Sequence, residues 1–141
     1  MSTRANLSDR DYRRLLAFRT DLRRFLHWSE EQAGDEDVTP AQHQLLLAIR
    51  GHDDARGPTI RDVARSLLLR HHSAVGLVDR AVTAGLVRRA PDRADRRVIR
   101  LALTSRGHIV LDRLAERHLE ELGRLADRIG PLLAGFTPRG A

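Results

Sequence analysis

Between Gly85 and Thr104 the hydrophobic pattern of this chain changes its period, and few folds accommodate that change. Ahead of Gly85, the residues Ala74, Leu77, Val78 and Ala81 recur at helical spacing. After it, Leu86–Ala90 reads as a strand and Val98–Leu103 as a second, alternating one. The turn between them, Pro91–Arg97, is densely charged. Gly85 ends the helix as a left-handed cap, and Thr104 caps the next helix. Helix, charged two-stranded hairpin and helix in this order describe a wing on a small helical domain.

The helices before the hairpin announce their own beginnings. Thr39-Pro40-Ala41-Gln42 supplies a cap, a proline at the first helical position and a capping-box partner. Helix 2 then runs to about Arg50. Thr59 and Asp62 repeat the box for helix 3, whose inner face is Ile60, Val63, Ala64 and Leu67. A short break near Leu68-Leu69 leads to helix 4, about Arg70–Ala84. Ser8 caps a first helix that ends near Ala33-Gly34, with an apolar stripe from Tyr12 to Leu26. A long last helix carries Ile109, Leu111, Leu114, Leu119, Leu122, Leu125 and Ile129, and Gly130-Pro131 is expected to stop it.

Charge placement narrows the function. Of the 25 basic residues all are arginine, and the net charge is +6. Between Pro58 and Arg106 eleven arginines face four aspartates, so the excess positive charge lies in the middle of the chain. A basic centre between nearly neutral flanks is the footprint of a phosphate-binding surface. The 141 residues contain no cysteine, which excludes disulfides, thiolate metal sites and thiol redox switches. No apolar run is long enough to cross a membrane, and the start of the chain lacks a signal-peptide pattern, so a cytoplasmic protein is expected. There is no glycine-rich phosphate loop and no nucleophile elbow, and an enzyme is not expected.

A recognition helix reads bases with the N-terminal part of its exposed face. Here that face offers Arg70, His71, His72, Ser73, Val75 and Gly76. Arginine makes a bidentate contact with guanine, and valine meets a thymine methyl. Asp79 and Arg80, further along, are expected to tie the helix to the wing.

The helix pair, Gly85-Leu86-Val87-Arg88-Arg89, the wing Asp92-Arg93-Ala94-Asp95-Arg96-Arg97 and Leu103-Thr104-Ser105-Arg106-Gly107 form an ordered set. It resembles the MarR family of multiple-antibiotic-resistance-type regulators, over nearly the whole chain. The fold class implied is mainly α with a small β-hairpin wing: a winged helix-turn-helix whose N- and C-terminal helices form a dimerisation region. On that reading 1–141 is one winged helix domain, with a DNA-binding lobe at about 39–103 and dimerisation helices at about 8–33 and 104–135. The resemblance further implies a homodimer on a palindromic operator in double-stranded DNA. It implies a repressor relieved by a small aromatic effector. The other reading is a winged-helix protein-interaction module without sequence-specific DNA binding.

The family pattern places an aspartate beside an arginine that enters the minor groove, which maps onto Asp95 and Arg97. A narrow minor groove is strongly negative and favours a guanidinium. Arg93 and Arg96 then become phosphate contacts. The sequence departs from the pattern at Arg70, where a capping Ser or Thr is common, and at Gly76, where a larger polar residue is common. No consensus operator therefore carries over.

For an effector, His27, Trp28 and His43 are the candidates, since aromatic walls with a polar group suit a small phenol or carboxylate. Phe25 and Leu47 read better as core packing. His108, Asp112 and Glu116 share one helical face, but such a row is more often a polar stripe than a metal site, and no metal or other cofactor is expected.

Overall fold

The computed structural model describes residues 6–134. The element order is α1 (Asp9–Asp35), α2 (Pro40–Arg50), α3 (Ile60–Ser66), α4 (His71–Thr83), β1 (Val87–Pro91), β2 (Ile99–Leu103) and α5 (Ser105–Leu133). The chain divides into two compact units. One runs from Glu30 to Glu116, and the other combines the chain before Glu30 with the chain after Glu116.

Local side-chain bonds fix the helix starts in the first of these units. The Thr39 hydroxyl accepts from the Gln42 amide at 3.0 Å and the Gln42 side chain accepts from the Thr39 amide at 3.0 Å. Thr59 and Asp62 repeat the arrangement at 3.0 and 3.2 Å. Both boxes stand where the sequence predicts them. The helix ends are less legible. α1 runs to Asp35 and closes with Asp37 in the left-handed region at φ 57°, while the Val38 amide bonds back to the Ala33 carbonyl at 3.1 Å. Gly34 therefore lies inside the helix, where one glycine costs only about 1 kcal/mol. Buried Val38 supplies the apolar contact that favours this closure. α3 ends the same way, with Leu68 at φ 55° and the Leu69 amide bonded to the Ala64 carbonyl. That left-handed leucine is the break between α3 and α4.

The core of this unit gathers α2, α3, α4, the hairpin and the start of α5 around Leu45, Leu46, Val63, Val78, Leu86, Leu101 and Leu114. Truncating one of these leucines to alanine is worth about 2–5 kcal/mol. β1 and β2 pair antiparallel, Val87 opposite Leu103 and Ala90 opposite Arg100. One hairpin face, with Val87, Leu101 and Leu103, closes the core. The loop after α2 joins the hairpin edge, where the Leu101 amide donates to the Pro58 carbonyl at 2.8 Å.

Thr104 begins α5 as predicted, accepting from the Gly107 amide at 3.0 Å and donating to the Gly85 carbonyl at 2.6 Å. Gly130-Pro131 does not stop the helix, which continues to Leu133. Proline disfavours a helical residue before it mainly by clashing with that residue's Cβ, which Gly130 lacks. Pro131 is also only two residues before the end at Leu133, and its missing N–H removes a single backbone bond. The tail from 135 onward lies outside the described residues.

In the second unit, α1 and α5 touch. The Ser29 hydroxyl lies 2.7 Å from His118 Nε2, and Arg14 donates to the Leu132 carbonyl at 3.0 Å. No helix among the described residues is long and apolar enough to cross a membrane.

Candidate nucleic-acid interface

α4 presents the face predicted for it. Ala74, Leu77, Val78 and Ala81 are buried, which turns Arg70, His71, His72 and Ser73 into solvent and leaves Val75 and Gly76 half-buried at the edge. Arg70 occupies the N-cap position without a side-chain cap bond, so the first amide groups of α4 receive nothing from it. An uncapped helix start combines unsatisfied donors with the positive end of the helix dipole. Gly76 leaves room on this face, and the Arg80 guanidinium fills it: a Cβ at position 76 would stand 3.2 Å from Arg80 Nη1. Arg80 is thus turned toward the helix N-terminus, over Gly76. Asp79 alone of the two makes the expected tie to the wing, through an ion pair with Arg89 on β1.

The wing tip is built on two aspartates. Asp95 and Arg97 form a fork, Nε to Oδ1 at 3.0 Å and Nη2 to Oδ2 at 3.1 Å. The Arg97 side chain is nevertheless 90% exposed. Asp95 thus sets the direction of a guanidinium that remains open to solvent. The Arg97 hydrogen bonds hold the Asp95 carboxyl below its ordinary pKa, and the pairing raises that of Arg97. Arg93 and Arg96 are exposed beside it.

Asp92 is the aspartate that the sequence does not single out. It is buried, and its Oδ2 accepts from the amides of Ala94 at 3.1 Å and Asp95 at 3.0 Å. Its Oδ1 takes Arg100 Nε at 3.3 Å, while Arg100 also donates to the Gly57 carbonyl at 3.2 Å. The bonds from the Asp95 and Ala94 amides, then the charge of Arg100, draw its pKa below the ordinary value. Asp92 thereby shapes the tip that carries Asp95 and Arg97 and links it to the α2–α3 loop. The available signal was its place at the start of a turn, two and three residues before the amides it accepts from.

The effector candidates are distributed over the two units. Trp28 packs against His118, ring centroids 4.8 Å apart, and against Phe25 at 5.9 Å. His27, one residue earlier on α1, is exposed. His43 belongs to the other unit and is buried on α2. Leu47 is not core: it is exposed, because the inner stripe of α2 is His43, Leu45, Leu46 and Ile49, and residue 47 falls off it. His108, Asp112 and Glu116 are exposed on α5, and among the described residues no group of three or more His, Cys, Asp or Glu is placed to hold a metal ion.

A family model described as the MarR family matches residues 36–98, which contain α2, α3, α4, β1 and the wing tip. Over these residues the winged lobe is similar to the MarR family. This is a family of DNA-binding transcriptional regulators, not of enzymes. No curated protein matches the sequence. Solved structures repeat the fold across most of the chain. A MarR family protein from Bacillus stearothermophilus superposes with TM-score 0.71 at 21% identity, covering 94% of this chain and 86% of that one. Wild-type MarR from E. coli, in its apo form, gives 0.64 at 22% identity over 85% and 82%. A point mutant of S. aureus MepR bound to an oligodeoxyribonucleotide gives 0.65 at 20% identity over 78% and 79%. The MarR architecture therefore extends beyond the matched lobe to the long terminal helices.

Proposed function

We propose that this protein is a ligand-responsive repressor that binds a palindromic operator as a homodimer. The observation that carries the DNA-binding part is the wing tip, where Asp95 aims an exposed Arg97 and exposed Arg93 and Arg96 flank it. A guanidinium held in advance loses little freedom on entering a groove. Arg97 enters the minor groove, and Arg93 and Arg96 meet phosphates. Arg70, His71, His72, Ser73, Val75 and Gly76 face the bases of the major groove. The MepR structure bound to an oligodeoxyribonucleotide supports the same use of this fold.

The homodimer part rests on the second unit, whose helices expose leucines on α1 and α5. Response to a small aromatic effector follows from the MarR relationship, with His27, Trp28 and His43 as the residues to vary. Regulation acts by repression.

The test is selection of bound sequences from random duplex DNA with the purified protein, repeated at two salt concentrations. Enrichment of a palindrome whose affinity falls steeply with salt supports the reading. Recovery of no preferred duplex points instead to a winged module that contacts other proteins, and overturns it.

A further inference from the structure

Arg80 is rooted beyond the base-reading part of α4, but its side chain ends within it. Helical side chains lean toward the helix N-terminus, so a long one at position 80 covers the turn before it, at position 76. That position is Gly76, and the Arg80 guanidinium occupies the space above it. A Cβ there would stand 3.2 Å from Nη1 and 3.9 Å from both Cζ and Nη2. The terminal fork of Arg80 therefore sits directly over the glycine, in the exposed middle of the helix face.

No carboxylate holds it there. Among the described residues Arg80 has no ion-pair partner. The link from α4 to the wing is made by Asp79 and Arg89 instead. His72, Gly76 and Arg80 form one row along the helix, and without the arginine the middle of that row would present bare backbone. A glycine inside a helix is destabilising relative to alanine. An arginine that merely faced solvent needs no such gap beneath it, whereas one seated among the reading residues does.

We infer that Arg80 is a base-reading residue of α4, and that Gly76 is the seat that positions its guanidinium against a guanine. The planar fork of donors matches the O6 and N7 acceptors that guanine shows in the major groove. Phosphates line the edges of the groove, whereas the middle of a recognition helix meets the base edges on its floor. The inference rests on the DNA-binding reading above and adds to it one guanine in each half-site.

The experiment is selection from random duplex DNA with the wild type, followed by affinities of the wild type, Arg80→Ala, Gly76→Ala and the double variant for the selected duplex and its single-pair replacements. For the wild type, a guanine is expected at one symmetric position of each half-site, with other bases there bound on the order of ten-fold more weakly. Arg80→Ala should erase that discrimination and leave the preferences at other positions intact. Gly76→Ala should raise the melting temperature, since alanine is the better helix former. It should nevertheless reduce discrimination at the same position, because its methyl displaces the fork, and this effect should vanish in the Arg80→Ala background. Thermal melting verifies that each variant is folded. An equal loss on every duplex, with a shallower salt dependence, would make Arg80 a phosphate contact and overturn the inference. Unchanged discrimination in folded Arg80→Ala, or a loss in Gly76→Ala that persists without Arg80, would overturn it as well. Each of these leaves the DNA-binding reading standing. A wild type that enriches no duplex removes that reading and the inference with it.

Discussion

A single methyl group probes the joint between the wing and α5. A Cβ on Gly107 would stand 2.1 Å from the Leu86 carbonyl oxygen, a backbone atom that the Thr104 amide already engages at 3.1 Å. The neighbour cannot yield without disturbing the start of β1. Gly107→Ala should therefore lower unfolding free energy by about 1–3 kcal/mol, the usual range for overpacking, as read by urea denaturation. At the wing, Arg97→Ala and Arg124→Ala separate position from charge. Each removes one positive charge, but Arg97 projects from the tip whereas Arg124 is occupied with Glu120 at 2.8 Å and Glu121 at 3.0 Å on α5. Operator affinity at two salt concentrations should fall on the order of ten- to a hundred-fold for Arg97→Ala and hardly at all for Arg124→Ala. Equal losses would mean that the wing tip does not enter the groove.

The wing as an element depends on two carboxylates that titrate below their ordinary values, Asp92 through the Asp95 and Ala94 amides and Asp95 through Arg97. For such groups the stabilisation is complete above the unfolded-state value, about 3.9, and is lost as pH falls toward the lower folded-state value. Asp92→Asn keeps an acceptor for the two amides but not the charge facing Arg100. The melting temperature of the wild type should therefore exceed that of the variant by a constant margin between about pH 5 and 7, and the margin should shrink below about pH 4. A margin that grows in acid would contradict the assignment. The elements themselves show what a sequence reveals. Capping boxes at Thr39 and Thr59 join residues three apart, so the local pattern suffices. The closure of α1 at Asp35 through a left-handed Asp37 and the run of α5 through Pro131 depend on the buried Val38 and on a glycine preceding the proline, so punctuation alone misplaces them. The Asp95–Arg97 fork spans two residues and was legible; the seat of Arg80 over Gly76 leaves the wing to the Asp79–Arg89 pair, a contact between elements, and was not.

At the scale of the whole molecule, the unit formed by the two chain ends poses the sharpest question. Among its described residues only Leu125 is buried, while Tyr12, Leu15, Leu16, Leu22, Leu26, Leu119 and Leu122 are exposed. Isolated exposed leucines are ordinary, but helices carrying this many with almost no interior need a partner to cover them. Polar contacts such as Ser29 with His118 do not replace that burial. A second copy presenting the same surfaces is the occupant expected if the protein binds a palindromic operator as proposed above. Sedimentation at micromolar concentration should show a dimer, and the melting temperature should rise with protein concentration, as it must when folding is linked to association. Leu16→Glu and Leu119→Glu, at positions 66% and 72% exposed, should not disturb the fold of a lone chain. In a dimer they place charges in an apolar interface, shift sedimentation to the monomer and weaken binding to the full palindrome much more than to a half-site. A wild type that sediments as a monomer, or variants that remain dimeric with unchanged melting, would show that these leucines are not the interface.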